Sequence, residues 1–232
     1  MTPANAFVTP DNIDRARSAL YDSGVLLLPA VFDAEFCQAA RVFMDAHQPD
    51  DRTESNYGGS ELRIWDAHKR DQLMLAFWSA CNGFVSALER KPAEAFTLLA
   101  IRNRPIPRDD EKLILGRWHI DSFRRQIKVF AFLTDTTNET GPFEFVPGTH
   151  SALFKARRLV NGDYITPGDV LTGKRSYARL DDALIDRLGE NTAQPVPVLC
   201  KAGTVMAIDT SAIHRARPCT AGERYVLTAY FH

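Results

Sequence analysis

The run Gln126-Ile127-Lys128-Val129-Phe130-Ala131-Phe132-Leu133 reads as a short β-strand, and it does not stand alone. Strand-like runs also cover 96–102, 113–120, 142–146, 196–200, 204–208 and 225–231, with turn signals between them. Several short strands at such spacing indicate a sandwich or a barrel. Toward the N-terminus the pattern is mostly helical. Thr9-Pro10-Asp11 offers a cap and a proline at a helix start, and Ile13, Ala16, Ala19 and Leu20 recur at helical spacing until Ser23-Gly24 stops them. Val25 to Pro29 follows as a short apolar strand. A second amphipathic helix covers 33–47, with Phe36, Ala39, Ala40, Phe43 and Met44 on one face, and a third runs from Arg70 to about Glu89. The polar, turn-rich segment 48–60 is expected to be a loop. The long stretch from 151 to about 194 carries many charges and few strand signals, which marks a lid or binding loop. The expected architecture is mainly β: helices packed outside a double-sheet core.

The bulk numbers fit a single domain over 1–232, helical over about 9–90 and β over about 95–232. A hydrophobic fraction of 45% and a charged fraction of 25% are those of a globular protein with a sizeable core. A net charge of −1 without a Lys/Arg run gives no pull toward nucleic acid. The longest apolar run, Val25 to Val31, is far too short to cross a bilayer. Cys37, Cys81, Cys200 and Cys219 are scattered without a C-x-x-C pair and read as reduced thiols. With no signal peptide read at the start, a cytoplasmic location is expected.

The segment Gly116-Arg117-Trp118-His119-Ile120-Asp121 carries the chemistry. In a strand, residues i and i+2 share a face, so His119 and Asp121 would present an imidazole and a carboxylate side by side to a divalent cation. Two histidines and one carboxylate on one face, with the opposite positions open, suit Fe(II) oxygen chemistry. His214 suits as the third ligand, because it follows the apolar strand 204–208 and the turn-like Asp209-Thr210-Ser211. Arg224 begins the last strand. If that strand pairs beside the one leading to His214, the guanidinium can enter the barrel, where a buried cation requires a carboxylate partner. A bidentate clamp of this kind suits a dicarboxylic cosubstrate.

From Arg117 to Phe231 the chain resembles the phytanoyl-CoA dioxygenase-like family of Fe(II)/2-oxoglutarate-dependent oxygenases. The matching pieces are Trp118-His119-Ile120-Asp121, the run from Phe132 through Asp135 and Gly141-Pro142 to Phe143, Val146-Pro147-Gly148-Thr149-His150-Ser151, and Gly203-Thr204 through His214 to Arg224. The opening Gly24-Val25-Leu26-Leu27-Leu28-Pro29-Ala30-Val31-Phe32 is similar as well. The resemblance implies a double-stranded β-helix (jelly-roll, cupin-like) core, with iron held by His119, Asp121 and His214. It implies that Arg224 binds the distal carboxylate of 2-oxoglutarate. It further implies oxidation of a C–H bond of a small molecule, with O2 consumed and 2-oxoglutarate converted to succinate and CO2. Many members carry a small hydroxyl residue two places after the distal histidine; here that place is Ala216, and Lys128 or Thr134 is offered in its stead. Some relatives lack the metal-binding carboxylate and use a halide; Asp121 argues against halogenation here.

Other readings stand beside these. His150 lies in a Pro-Gly-Thr-His turn and is expected to be structural; His47, His68 and His232 are expected to be solvated. Trp118 is out of phase with His119 and is expected to pack in the core. Arg102, Arg104, Arg117, Arg124, Arg125 and Lys128 either send some charge inward to an anionic substrate or pair outside with Asp109, Asp110 and Glu111. Lys174, Arg175, Tyr177 and Arg179 either contact substrate or face solvent on the long loop. A cupin-like isomerase or hydrolase using Zn or Mn would need no 2-oxo acid, and a non-catalytic binding protein would need no metal. The expected partner is a small polar or acidic metabolite.

Overall fold

The computed structural model describes residues 10–107, 116–161, 166–172, 180–191 and 193–232. Three helices in the first 89 residues each have a local cause. Helix α1 (Pro10–Ser23) ends at Gly24, whose φ of 82° few other residues adopt. Helix α2 (Ala34–Ala46) is capped by Asp33, which accepts the Phe36 N–H, and α3 (Gln72–Glu89) by Asp71, which accepts from Leu73 and Met74. The strand β1 (Val25–Leu28) leads into a seven-stranded antiparallel sheet of order β1-β8-β5-β10-β4-β3-β2. Its other members are β2 (Thr53–Asn56), β3 (Glu61–Ile64), β4 (Thr97–Asn103), β5 (Ile127–Phe132), β8 (Val205–Asp209) and β10 (Arg224–Tyr230). A second sheet of order β7-β6-β9 joins β7 (Val196–Pro197), β6 (Phe143–Phe145) and β9 (His214–Ala216).

Alternation divides the large sheet into two faces. Val129 and Ala131 of β5, Leu227 and Ala229 of β10, Leu98 and Ala100 of β4, and Val205 and Ala207 of β8 form one cluster with Leu20, Phe36, Met44, Phe77 and Leu88 of the three helices. That is the outer core. The opposite face sends Phe132, Val226, Met206 and Ile208 against Phe143 and Phe145 of the small sheet. This is the double-sheet jelly-roll core expected from the sequence, and the helices lie outside it.

Two regions differ from expectation. Within 48–60 the chain is not a loop throughout: β2 pairs with β3 in a hairpin, Thr53 opposite Ile64 and Asn56 opposite Glu61, and β3 joins β4. Thr-Glu-Ser-Asn carries no apolar alternation because β2 is the sheet's edge, so its stability comes from pairing and leaves no periodic signal. The 151–194 connection holds helices α4 (Ala152–Asn161), α5 (Pro167–Thr172) and α6 (Asp182–Asn191). Phe154, Ile185 and Leu188 pack on Trp118, Ile120, Val146 and Ile213, so part of the expected lid covers the back of the metal-motif segment. Lys174, Arg175, Tyr177 and Arg179 fall outside the described residues, as do residues 113–115 of the expected strand and Asp109, Asp110 and Glu111. The remaining 116–121 makes bridges at Trp118 and His119 instead of a full strand. No helix among the described residues is long and apolar enough to cross a membrane.

Candidate metal centre

His119 and His214 are locked together through the backbone. The N–H of each donates to the carbonyl of the other at 2.9 Å, a single antiparallel bridge that places the rings 4.4 Å apart. The Asp121 N–H donates to the Thr210 carbonyl at 3.0 Å, fixing the third residue to the turn before β9. His119, Asp121 and His214 therefore converge, with one ligand atom of each within 4.8 Å of the others. Among the described residues this is the group of His, Cys, Asp and Glu able to hold a metal.

The tautomers are set by the same geometry. His119 Nδ1 lies 3.0 Å from the Arg117 carbonyl and His214 Nδ1 2.8 Å from the Ala212 carbonyl. A carbonyl only accepts, so each Nδ1 carries a proton and Nε2 is the ring atom left to bind a metal. Both Nε2 atoms face Asp121: His214 Nε2 is 3.4 Å from Oδ2 and His119 Nε2 3.8 Å from Oδ1. Burial, and then the neighbouring His214, push the His119 imidazole down to about 4, so it stays neutral. Burial alone would raise the Asp121 carboxyl, but His214 and Lys128 beside it outweigh burial and hold it well below the usual carboxylate range. The site thus brings two imidazole Nε2 atoms and a carboxylate together, the donor set that a divalent metal binds in deprotonated form.

Arg224 lies on the inner face of the large sheet, 7% exposed. Its Nη2 donates to Asn103 Oδ1 at 2.9 Å, across the β10–β4 pairing of these two residues. No carboxylate among the described residues lies in ion-pair range of it, and burial pulls the guanidinium down to about 10. Asn103 in turn donates to Glu61 Oε2 at 3.2 Å, and Glu61 holds Arg63 at 2.8 Å. Further along the same face, the Thr228 hydroxyl is fully buried and has no hydrogen-bond partner among the described residues. An unpaired buried cation and an orphaned buried hydroxyl on one wall fit an anionic ligand with several acceptor oxygens.

The two groups offered in place of a hydroxyl at 216 part company. Thr134 accepts the Tyr225 N–H at 3.1 Å, beside the Arg224 end of β10. Lys128 is buried on the inner face of β5 with its ammonium 2.6 Å from Asp121 Oδ2 and 4.2 Å above the Tyr230 ring. It is the only buried member of its basic cluster. Arg102, Arg104 and Arg125 turn to Asp45, Glu223 and Glu89. His150 donates from Nε2 to the Tyr21 carbonyl at 2.8 Å and abuts Gly24, where a Cβ would lie 2.6 Å from its Nδ1. That is the structural role expected of it. Trp118 is buried as expected, with Arg215 4.2 Å over its ring. Of the smaller histidine expectations, His232 is exposed as expected, whereas His68, stacked on Trp78, and His47, bonded to Thr53 Oγ1 at 2.8 Å, are half-buried. Asn103, Glu61, Thr228 and Tyr230 escaped sequence reasoning. The parity of Arg224 along β10 marks Thr228 and Tyr230 as its face-mates, whereas only pairing across strands reveals Asn103 and Glu61.

With this geometry in place, the sequence profile of the phytanoyl-CoA dioxygenase (PhyH) family matches residues 110–226. The chain belongs to the phytanoyl-CoA dioxygenase family. No curated protein sequence matches it. Among solved structures it is similar to the non-heme α-ketoglutarate-dependent epimerase SnoN from nogalamycin biosynthesis, with 19% identity over 96% of this chain and 84% of that one, at a TM-score of 0.68. The carbocyclase SnoK of the same biosynthesis gives 16% identity, 100% and 85% coverage, and a TM-score of 0.69. HygX from Streptomyces hygroscopicus, solved with nickel and 2-oxoglutarate bound, gives 15% identity, 97% and 87% coverage, and a TM-score of 0.61. At these identities the likeness is one of fold.

Proposed function

We propose that this family member is an Fe(II)- and 2-oxoglutarate-dependent oxygenase that oxidises a C–H bond of a small molecule. The observation that carries the reading is the convergence of two Nε2 lone pairs and one carboxylate, from 119, 121 and 214, on one point. Three ligands on one side leave the opposite side open for a chelating cosubstrate and O2. Iron with 2-oxoglutarate and O2 supplies an oxidant able to take hydrogen from an unactivated carbon, while the 2-oxo acid becomes succinate and CO2.

The chain's own residues do the positioning. The Arg117 and Ala212 carbonyls hold the Nδ1 protons, which aims the Nε2 lone pairs and raises ligand basicity. Arg224 binds the distal carboxylate of 2-oxoglutarate, replacing an energetically poor state, a buried cation with a neutral partner, by an ion pair. Thr228 supplies the hydroxyl that Ala216 cannot. Phe143 stacks on His214 at 5.2 Å and Phe130 lies against Phe143, which gives the site an apolar wall beside the metal ligands. The unpaired cation at Arg224 favours this reading over a Zn or Mn isomerase, which has no use for it. Hydroxylation is the simplest outcome. Epimerisation and ring closure, the reactions in the names of the α-ketoglutarate-dependent SnoN and SnoK, are the alternative outcomes.

The test is anaerobic addition of Fe(II) and 2-oxoglutarate, followed by the weak visible charge-transfer band of the chelate. Wild type gives the band and Asp121→Ala loses it. Metal-bound wild type without a band would falsify the oxygenase reading and promote the isomerase.

A further inference from the structure

Lys128 has no settled role in the scheme above, yet it is the most closely engaged cation of the metal centre. Its ammonium lies 2.6 Å from Asp121 Oδ2, the same oxygen that faces His214 Nε2 at 3.4 Å. Its residue is 9% exposed, and the Asp121 side chain is 17% exposed, so the pair is only weakly screened by bulk water. Lys128 pairs with Tyr230 across β5 and β10, and the ammonium rests 4.2 Å over that ring. A buried carboxylate without a counter-charge is expensive, and among the described residues Lys128 is the full positive charge within 4 Å of this one.

We propose that Lys128 is a built-in counter-ion of the metal site: it neutralises Asp121 in the metal-free protein and is exchanged for the incoming divalent cation. This rests on the reading of His119, Asp121 and His214 as metal ligands. A metal at the Nε2 atoms must take an Asp121 oxygen and would sit within a few ångströms of a fixed positive charge. Each unit of charge at such range in a poorly screened site opposes binding. The face of Tyr230 gives the displaced ammonium a second site of attraction, so Lys128 can yield Asp121 without entering solvent. Lys128 therefore stabilises the protein before loading and weakens the metal's hold. It acts through Asp121 and is a positioning residue. The competing role, a ligand for the cosubstrate carboxylate, makes a different prediction: loss of Lys128 would weaken 2-oxoglutarate and leave metal affinity unmoved.

The experiment is a titration of metal-stripped full-length protein with Mn(II), without 2-oxoglutarate, reading free Mn(II) by electron paramagnetic resonance and melting by calorimetry. Lys128→Met is expected to bind Mn(II) about tenfold more tightly or better, the size of effect that outer partners of metal ligands command. Its metal-free form is expected to melt about 5–10 °C lower, a gap that saturating Mn(II) closes. Lys128→Arg should restore wild-type behaviour on both counts. Unchanged or weaker Mn(II) affinity in folded Lys128→Met overturns the proposal while leaving the metal site standing. Absence of Mn(II) binding in both wild type and variant overturns the proposal together with the oxygenase reading. Should Lys128→Met not fold without metal, the double variant Lys128→Met/Asp121→Asn decides: removal of both charges restores folding if the pair is what matters, and failure to restore it overturns the idea.

Discussion

The two faces of the seven-stranded sheet are made from the same strands and do opposite things. Along β10, Tyr225, Leu227 and Ala229 point to the helices and join the outer cluster. Arg224, Thr228 and Tyr230 alternate with them and point inward, with Val226 the one apolar residue of that set. β5 repeats the division, with Val129 and Ala131 outside and Lys128 inside. Both faces are buried, so burial does not separate them. What separates them is satisfaction: the outer face is apolar or paired, as the Tyr225 hydroxyl is with Asp45, whereas the inner face buries a guanidinium with a neutral partner and a hydroxyl with none among the described residues. Unmet polar groups are tolerated where a ligand meets them. The difference supports the inner face as the wall of the proposed cosubstrate site.

This contrast can be broken at several points. The largest effect is expected at the metal ligands. His214→Ala should reduce turnover at least about a thousandfold, as loss of a central catalytic group does, while leaving the melting transition cooperative. Measured turnover within tenfold of wild type would remove His214 from the centre. On the outer face Leu227→Ala should cost about 2–5 kcal/mol by chemical denaturation, with the iron–2-oxoglutarate band retained in the folded fraction. A selective loss of the band there would erase the distinction between the faces. Arg224→Met is expected to raise the KM for 2-oxoglutarate about 10- to 100-fold, to leave Mn(II) affinity alone, and to leave stability equal or higher because a poorly paired buried charge is gone. Clear destabilisation would make Arg224 a structural residue. Gly24→Ala sharpens the outer boundary: with φ at 82° and a Cβ 2.6 Å from His150 Nδ1, it should cost about 1–3 kcal/mol without changing KM. The smallest effect belongs to Thr228→Val, about a two- to tenfold rise in the 2-oxoglutarate KM together with a slight gain in stability. An unchanged KM would mean that the Thr228 hydroxyl does not touch the cosubstrate.

Legibility in the sequence followed the strength of local periodicity. The first three helices and most central strands were readable because their burial is one-sided or complete, and burial writes apolar spacing into the chain. The β2–β3 hairpin was not, since Thr53–Asn56 has two polar faces and is held by strand pairing. The helices within 151–194 were missed where charges outnumber the few core contacts at Phe154, Ile185 and Leu188. At the centre, His119 and Asp121 were readable as an i, i+2 pair and His214 as the residue after an apolar strand and turn. The tautomers, the Arg224–Asn103–Glu61 line and the Lys128–Asp121 pair were not.

The sequence by itself determined the layer order and family, with candidate metal ligands and a candidate clamp, because these depend on residue type and short spacing. Only the tertiary structure decided that Lys128 faces Asp121 and that Arg224 meets Asn103 in place of a carboxylate. Those facts depend on which strands become neighbours and in what register, and pairing between distant segments leaves no trace in the local order of residues.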